Sequence, residues 1–215
     1  MDKLSVIIRA RNEEQHIGFA LQSIYDSFGK DGIEVIIADN NSTDDTMSVV
    51  NMFTHFMDIE VFTVDKYTPG LSLNSAVKQT VNDTILILSA HCKILNSSLS
   101  YVKNRLENHV AVFGKQIPIY RGKRVNPRYI WKHFTDKMSI NMFSDQEDRH
   151  FLHNAFCYYD RSYLIENPFD ETLVGKEDRY WAADVAEAGQ TYCYDPELKV
   201  EHYFTTNGAT WKGLG

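Results

Sequence analysis

The sequence predicts an α/β fold with a mostly parallel central sheet flanked by helices. Two consecutive segments near the amino terminus share one pattern, in which an apolar run ends in polar residues and helical spacing follows. The second run, 35–38, is wholly apolar, which is typical of strands buried on both faces of a parallel sheet. A chain of 215 residues with 43% hydrophobic residues suits one sizeable core, so we expect a single domain over residues 1–215.

The first unit combines a strand predicted at 4–9 with a helix predicted at 14–28. Polar residues follow the strand directly, and the apolar residues beyond them recur at helical spacing. The polar residues of this turn are Arg9, Arg11, Asn12 and Glu13.

The second unit repeats this arrangement with a strand at 34–38 and a helix at 43–54. Asp39 falls at the carboxyl end of the strand, and Asn41 follows in the same turn. Successive parallel strands joined by right-handed crossovers keep their carboxyl ends together. Ligands of open α/β sheets bind at that edge. The two polar turns therefore predict a shared binding site.

The remaining elements of the first half are expected at 59–64, 71–81, 84–89 and 98–107, with helices and strands in alternation. The character of the sequence changes near residue 115. From Gln116 to Asp148 it is basic and aromatic without clean strand alternation. We interpret this segment as a partly mobile connection of the kind that supplies lids, although a solvated surface loop has the same composition.

Composition excludes several classes of protein. The formal net charge of −7 argues against a nucleic-acid partner. No apolar run approaches the roughly 20 residues needed to cross a bilayer, and the chain enters a strand directly, so we expect a cytoplasmic protein. A local basic patch would still allow peripheral association with the inner face of the membrane. Cys92, Cys157 and Cys193 lack the spacing of a zinc site or a disulfide framework, so buried thiols are expected.

Several motifs together resemble the family 2 glycosyltransferases, whose nucleotide-sugar-binding fold is called GT-A. The two β-α turns resemble the opening of that family, and further similar stretches follow in family order over most of the chain. These stretches lie at 67–76, 84–91, 151–155, 168–171, 175–178 and 200–203. The resemblance implies a nucleotide-binding half over residues 1–115 and an acceptor-binding half over residues 116–215.

The resemblance also assigns binding roles to individual residues. It implies that the donor is bound by the two polar turns, by a glycine and asparagine stretch, and by the end of the strand at 84–89. The donor residues are thus Arg9, Arg11, Asn12, Glu13, Asp39, Asn41, Gly70, Asn74, Ser89, Ala90 and His91. Turn or cap roles would suit Gly70 and Asn74 equally well. The acceptor residues are Asn154, Trp181 and Tyr203, although buried aromatic residues usually belong to a core.

Sugar transfer requires a base for the acceptor hydroxyl and compensation for charge on the departing diphosphate. The stretch 175–178 resembles the Glu-Asp pair of the family, which opens a helix and supplies the catalytic carboxylate. The resemblance therefore implies that Asp178 is the catalytic base and that Glu177 orients the acceptor. Capping of a helix amino terminus by the two acidic residues is the alternative interpretation.

The sequence departs from its family where a divalent metal (Mn²⁺ or Mg²⁺) is usually bound. Ser89-Ala90-His91 stands in place of the Asp-x-Asp motif, so neither outer position offers a carboxylate. Imidazole suits manganese, zinc or iron better than magnesium. The resemblance places His202 as a second ligand beside His91. There are two alternatives to a metal held by these histidines. Either a protonated His91 contacts the diphosphate directly, or the site is an inactive remnant.

The resemblance as a whole implies an inverting transferase that moves a sugar from a nucleotide-sugar donor to a saccharide or lipid-linked saccharide acceptor. It further implies a place in the assembly of bacterial surface polysaccharide, such as capsule or O-antigen. Two alternatives stay open: a nucleotidyltransferase, and an inactive nucleotide-sugar-binding module. A glycine-rich loop with a lysine after the first strand would favour the nucleotidyltransferase, but the chain has Arg9-Ala-Arg11-Asn12 there. The sequence leaves the oligomeric state open.

Overall fold

The structure, a computed structural model, describes residues 3–126, 128–206 and 208–212. Its helices are α1 (Ile17–Phe28), α2 (Thr46–Phe53), α3 (Pro69–Gln79), α4 (Leu99–Leu106), α5 (Arg161–Glu166), α6 (Glu177–Glu187) and α7 (Ala209–Lys212). Its longer strands are β1 (Leu4–Ala10), β2 (Ile33–Asp39), β3 (Asp58–Thr63), β4 (Thr84–Ser89), β5 (Cys92–Asn96) and β6 (Ala111–Tyr120). Short strands follow, β7 (Lys123–Arg124), β8 (Ser139–Ile140), β9 (Phe143–Ser144) and β10 (Arg149–His150), before β11 (Phe156–Asp160) and β12 (Tyr192–Tyr203).

The main sheet follows the order β3-β2-β1-β4-β11-β6-β12-β5. The first four of these strands are parallel, as predicted, with β1 between β2 and β4. In the second half, β11 runs antiparallel to both β4 and β6, and β12 runs antiparallel to β5. The predicted α/β fold with a central sheet and flanking helices is confirmed, and the sheet is mixed because β11 and β5 run antiparallel to their neighbours, whereas β6 and β12 pair in parallel.

The segment from Gln116 to Asp148 contains more regular structure than its composition suggests. Strand β6 continues to Tyr120 and turns into β7, and a 3₁₀ turn spans Tyr129–His133. Trp131 and Phe134 are buried in the core. Two aromatic side chains therefore anchor this basic segment to the rest of the molecule.

The core forms two apolar layers, one on each face of the sheet. Alternate residues of β1 divide between them, so that Val6 and Ile8 pack with α1 while Ile7 packs with α3. The three cysteines are free and buried, as expected, and burial raises the pKa of the Cys92 thiol. Within the described residues, none of the helices combines the length and apolarity required to cross a bilayer.

Candidate active site

A large cleft opens at the carboxyl ends of β1 and β4 and has a volume of about 930 Å³. The start of α6 forms another wall, and the turn around α7 contributes Gly208 and Thr210. The predicted site residues that line this cleft are Arg9, Arg11, Asn12, Glu13, Ser89, Ala90, His91, Asn154, Glu177 and Asp178. Residues from both halves of the chain therefore meet in a single cavity.

Reciprocal hydrogen bonds join the turns after β1 and β2. Asn12 adopts a left-handed backbone conformation (φ 55°), its Oδ1 accepts from the Thr43 amide at 2.7 Å, and its own amide donates to Ser42 Oγ at 3.0 Å. Asp44 accepts from the amides of both Glu14 and Thr46, which ties the first turn to the start of α2. The two polar turns are thus built as one unit, as their shared sheet edge predicts.

Asp39 is buried at the base of this unit. The hydroxyl of Ser42 donates to Asp39 Oδ1 at 2.6 Å, and the Ser42 amide lies 3.2 Å from Oδ2. The next residue, Asn40, lines the same cleft as Asp178, whereas Asp39 and Asn41 are not among its lining residues. The turn after β2 and the acidic pair therefore share a cavity, with the Asp39 carboxylate one layer behind the surface.

Gly70 and Asn74 lie away from the cleft lining and connect α3 to the segment that precedes α6. The Asn74 amide donates to Phe169 O at 2.8 Å and to Glu171 Oε1 at 3.0 Å, and Asn74 Oδ1 accepts from the Phe169 amide. A Cβ added at Gly70 would lie 2.3 Å from Asp170 O. The close backbone approach expected at Gly70 is therefore made by the protein's own chain.

The Ser89-Ala90-His91 stretch leaves β4 directly into the cleft. His91 is almost buried, and its Nδ1 lies 3.0 Å from Glu13 Oε1. A carboxylate bound to one ring nitrogen fixes the orientation of the imidazole. The two predicted donor turns are thus linked to the end of β4 through the pair of Glu13 and His91.

His202 lies behind His91, with ring centroids 4.8 Å apart. Its Nδ1 is 2.9 Å from Gln116 Oε1, and its buried Nε2 has no hydrogen-bond partner among the described residues. Burial, followed by the proximity of His91 and His153, holds the pKa of His202 well below its usual value. Burial likewise lowers the pKa of His153 to about 3. Both imidazoles are neutral near pH 7.

Neutral imidazoles are suitable ligands for manganese, iron or zinc. The residues that would hold such an ion are His91, which lines the cleft, and the buried His202, which does not. Within residues 3–126, 128–206 and 208–212, no group of three or more His, Cys, Asp or Glu side chains is arranged to hold a metal by itself.

The acidic pair opens α6 after a left-handed residue, Lys176 (φ 62°). Asp178 is buried and accepts three hydrogen bonds, from the Asn154 amide at 3.0 Å, from the Arg179 amide at 2.9 Å, and from Arg179 Nη1 at 2.8 Å. Burial alone would raise its pKa, but the charge of Arg179 and these hydrogen bonds outweigh burial and lower it. Asp178 is therefore ionised at neutral pH.

The pKa of Glu177 is shifted in the opposite direction to that of Asp178. Its Oε1 lies 3.3 Å from Arg9 Nη1 and 3.4 Å from Asn154 Nδ2. Burial raises the pKa of Glu177 and outweighs the attraction of Arg9, while the nearby charge of Asp178 raises it further. Arg9 is held between the donor turn and the acidic pair, and the surrounding carboxylates keep its pKa above the usual value despite burial.

Only one of the three predicted acceptor residues lines the cleft. Asn154 does so and contacts both acidic residues. Trp181 is buried against Tyr159 and Phe169, and its indole nitrogen donates to Asn167 O at 2.7 Å. Tyr203 stacks on His16 outside the lining. In the structure Trp181 therefore lies in the core, and Tyr203 lies outside the cleft lining.

Two residues that shape the acidic pair, Arg179 and Glu147, were not predicted from the sequence. Arg179 holds Asp178 and lies over the Phe151 ring at 4.3 Å, and Glu147 approaches Arg179 at 3.7 Å. A cation in the first turn of a helix is unfavourable for the helix dipole. Arg179 directly after two acidic residues was therefore a readable signal, whereas nothing local to Glu147 indicates its position.

The mixed sheet, the polar turns at one edge and the acidic pair facing them define a glycosyltransferase fold of the GT-A class, as predicted. The chain belongs to Glycosyl transferase family 2, because the sequence pattern of that family matches residues 5–167.

Curated relatives agree with this membership. The chain is 28% identical over 190 residues to the GalNAc(5)-diNAcBac-PP-undecaprenol beta-1,3-glucosyltransferase of Campylobacter jejuni, covering 84% of this chain and 59% of the relative. It is 27% identical over 184 residues to the O-antigen chain rhamnosyltransferase RfbN of Salmonella typhimurium, covering 79% and 56%. The chain thus spans less than two thirds of the length of these relatives.

A solved structure supports the fold independently. The crystal structure of S. aureus TarS 1–349 in complex with UDP-GlcNAc matches 100% of this chain and 62% of the TarS chain. The TM-score is 0.73 at 19% sequence identity. At that identity the similarity establishes the shared fold alone.

Proposed function

We propose that this chain is an inverting glycosyltransferase that moves a sugar from a nucleotide-sugar donor to a saccharide or lipid-linked saccharide acceptor. The observation that carries this proposal is the single cleft in which the donor turns after β1 and β4 face Glu177 and Asp178. Curated relatives are named as a glucosyltransferase and an O-antigen rhamnosyltransferase, which supports a role in bacterial surface polysaccharide assembly.

In the proposed mechanism, Asp178 accepts the proton of an acceptor hydroxyl while that hydroxyl attacks the anomeric carbon. The oxygen forms the new glycosidic bond as the bond to the nucleoside diphosphate breaks, and this single displacement inverts the configuration. Asp178 is ionised at neutral pH, as a proton acceptor must be. Its three hydrogen bonds fix it in place. Glu177 and Asn154 would orient the acceptor.

On the donor side, positive charge is needed where the diphosphate departs. Arg9 and His91 line that wall of the cleft. A divalent ion held by His91 and His202 would, when bound, neutralise the diphosphate. Direct contact of His91 with the diphosphate is the competing arrangement, in which the Glu13 carboxylate, 3.0 Å from His91 Nδ1, holds the ring in place. Asp39 and the turn that it supports would hold the nucleoside.

We further propose that the protein works in the cytoplasm. Where the acceptor is lipid-linked, its sugar would be presented at the inner face of the cytoplasmic membrane.

A donor screen tests the function. Nucleoside diphosphates and nucleotide sugars are added with and without Mn²⁺ while the melting temperature and the release of nucleoside diphosphate are measured. A ligand that binds only the folded state at about 100 times its Kd adds about 2.7 kcal/mol of stability. We expect one nucleotide to raise the melting temperature and its sugar conjugate to be turned over. Donor binding without turnover for any acceptor would favour the binding module, which the missing carboxylates at 89–91 also suggest.

A further inference from the structure

A second cavity adjoins the catalytic cleft and is strongly basic. It has a volume of about 460 Å³ and is lined by Arg128, Tyr129, Lys132 and Gln146. Tyr129 and Gln146 also line the catalytic cleft, so the two cavities are continuous. The two cations thus lie beside the acceptor-side wall, in the half of the chain that carries Glu147 and the acidic pair.

The charge of this region contrasts with that of the whole chain. Residues 121–132 carry five cations and no Asp or Glu in a protein of net charge −7. The five are exposed, and none of them forms an ion pair with a described residue. Glu147, which follows Gln146 and lines the catalytic cleft, is itself approached by Arg179 and Lys176. The cavity therefore presents positive charge to whatever enters it.

The cavity walls are firmly held. Trp131, which stands between Arg128 and Lys132 in the sequence, is buried. Its ring centroid lies 5.0 Å from that of His202. His133 Nε2 lies 2.7 Å from Ser144 Oγ, which also accepts from the Glu147 amide. The 3₁₀ turn that carries the cations is thus joined to the loop that carries Gln146. Tyr129 has a left-handed backbone (φ 51°), and a bulky residue rarely adopts this conformation unless its surroundings enforce it.

From this arrangement we propose that the basic cavity binds a phosphate or diphosphate group on the acceptor. The inference rests on the proposed function and adds the acceptor's chemical class to it. Arg128 offers a planar pair of donors and Lys132 a compact charge, which together suit phosphate oxygens. Gln146 and the Tyr129 hydroxyl add neutral donors at the junction with the cleft. A phosphate seated here would present the attached sugar to Asp178.

Binding of a lipid diphosphate tests the proposal without requiring turnover. The probe is geranyl diphosphate, the neutral comparison is geraniol, and both are titrated by calorimetry with the donor site saturated by the nucleoside diphosphate from the donor screen. We expect the diphosphate to bind and geraniol not to bind. The double variant R128Q/K132Q should weaken diphosphate binding about tenfold or more while keeping the melting-temperature increase given by the donor.

R121Q/K123Q is the matched control because it removes the same charge from exposed positions outside the cavity. We expect it to weaken binding less than about threefold. Equal losses in the two double variants would indicate a diffuse basic surface and overturn the proposal. Loss of the donor response in R128Q/K132Q would assign these residues to the donor and overturn it as well.

Two further outcomes are decisive. Binding of vesicles containing 30% phosphatidylglycerol, without binding of geranyl diphosphate, would identify a membrane-docking surface instead. Absence of diphosphate binding in a protein that still responds to its donor would overturn this inference and leave the glycosyltransferase proposal intact. Failure of the donor response itself would count against the proposed function.

Discussion

Two adjacent carboxylates in the cleft have their pKa values displaced in opposite directions. Glu177 and Asp178 are both buried, but only Asp178 is bonded to Arg179 and to two backbone amides. Burial raises the pKa of Glu177, while the charge and hydrogen bonds outweigh burial at Asp178. The two neighbouring carboxylates of one helix turn therefore differ in how readily they take up a proton.

The variant D178N should lower kcat about 10²-fold or more, because an amide cannot accept the acceptor proton. Donor binding should persist, since Asp178 lies on the acceptor-side wall. Steady-state release of nucleoside diphosphate, together with the donor-induced change in melting temperature, measures both quantities.

E177Q is the matched control for D178N, and we expect it to raise the acceptor KM more than it lowers kcat. A larger loss of kcat in E177Q than in D178N would exchange the two roles. Near-normal rates in both would exclude the pair from the chemistry.

Individual site residues were predictable to different degrees. The position of Asp178 was implied by the family resemblance alone. Glu13 and His91 follow recognisable strands, so their place at one edge of the sheet could be inferred from the sequence. Trp181 could not, because an aromatic residue at helical spacing has the same pattern whether it faces a ligand or a core.

At the scale of elements, the packing of α3 against the segment before α6 depends on the absence of a side chain at Gly70. The Asp170 carbonyl occupies the place of a Cβ, and Asn74 ties the same segment by three hydrogen bonds. This junction holds the chain that leads to the acidic pair.

The substitution G70A should therefore destabilise the protein by about 1–3 kcal/mol, the usual scale of overpacking. Urea unfolding measures the change. G175A serves as control, because a Cβ there meets nothing within 4 Å. Equal stability of G70A and the parent protein would show that the junction relaxes freely.

In the first half, β2 and β4 were predictable because their apolar runs, 35–38 and 85–88, are uninterrupted, whereas β5 was not predicted. Strand β12 was not, since Pro196 stands inside it and prolines are rare within strands. The pairing of β12 with β6 shifts register between Asp195 and Lys199, which accommodates the proline. Strand β6 was likewise hard to predict because it contains Gly114 and Pro118. An added Cβ at Gly114 would lie 2.5 Å from the Phe156 ring.

Across the whole molecule, buried neutral histidines link stability to pH. The folded-state pKa of His153 is about 3 and that of His202 is well below normal, against about 6.5 for an unfolded chain. Between those values the unfolded state binds more protons than the folded state, so stability increases with pH.

We therefore expect the free energy of unfolding to decrease as pH falls from 7 to 5.5, by up to about 1.4 kcal/mol per pH unit for each histidine. Urea titrations at several pH values measure the slope, above the range in which most carboxylates titrate. H153Q should have a shallower slope than the parent protein. An unchanged slope in H153Q would mean that His153 has the same pKa in the folded and unfolded states.

The overall architecture was accessible to sequence reasoning because two β-α units fix the direction of the sheet and the edge where ligands bind. How deeply each residue is buried could not be inferred in this way. Whether Asp39 faces the cleft or lies behind it depends on Ser42, and the basic segment acquires its anchor only when Trp131 meets His202.

Trp131 also has a practical consequence for spectroscopy. The chain has three tryptophans, and two of them, Trp131 and Trp211, have ring centroids 5.0 Å apart beside His202. Trp181 lies in a separate apolar environment against Tyr159. Because Trp131 stands between the cavity residues Tyr129 and Lys132 in the sequence, we expect indole emission from the paired rings to report occupancy of the neighbouring cavity without an attached dye.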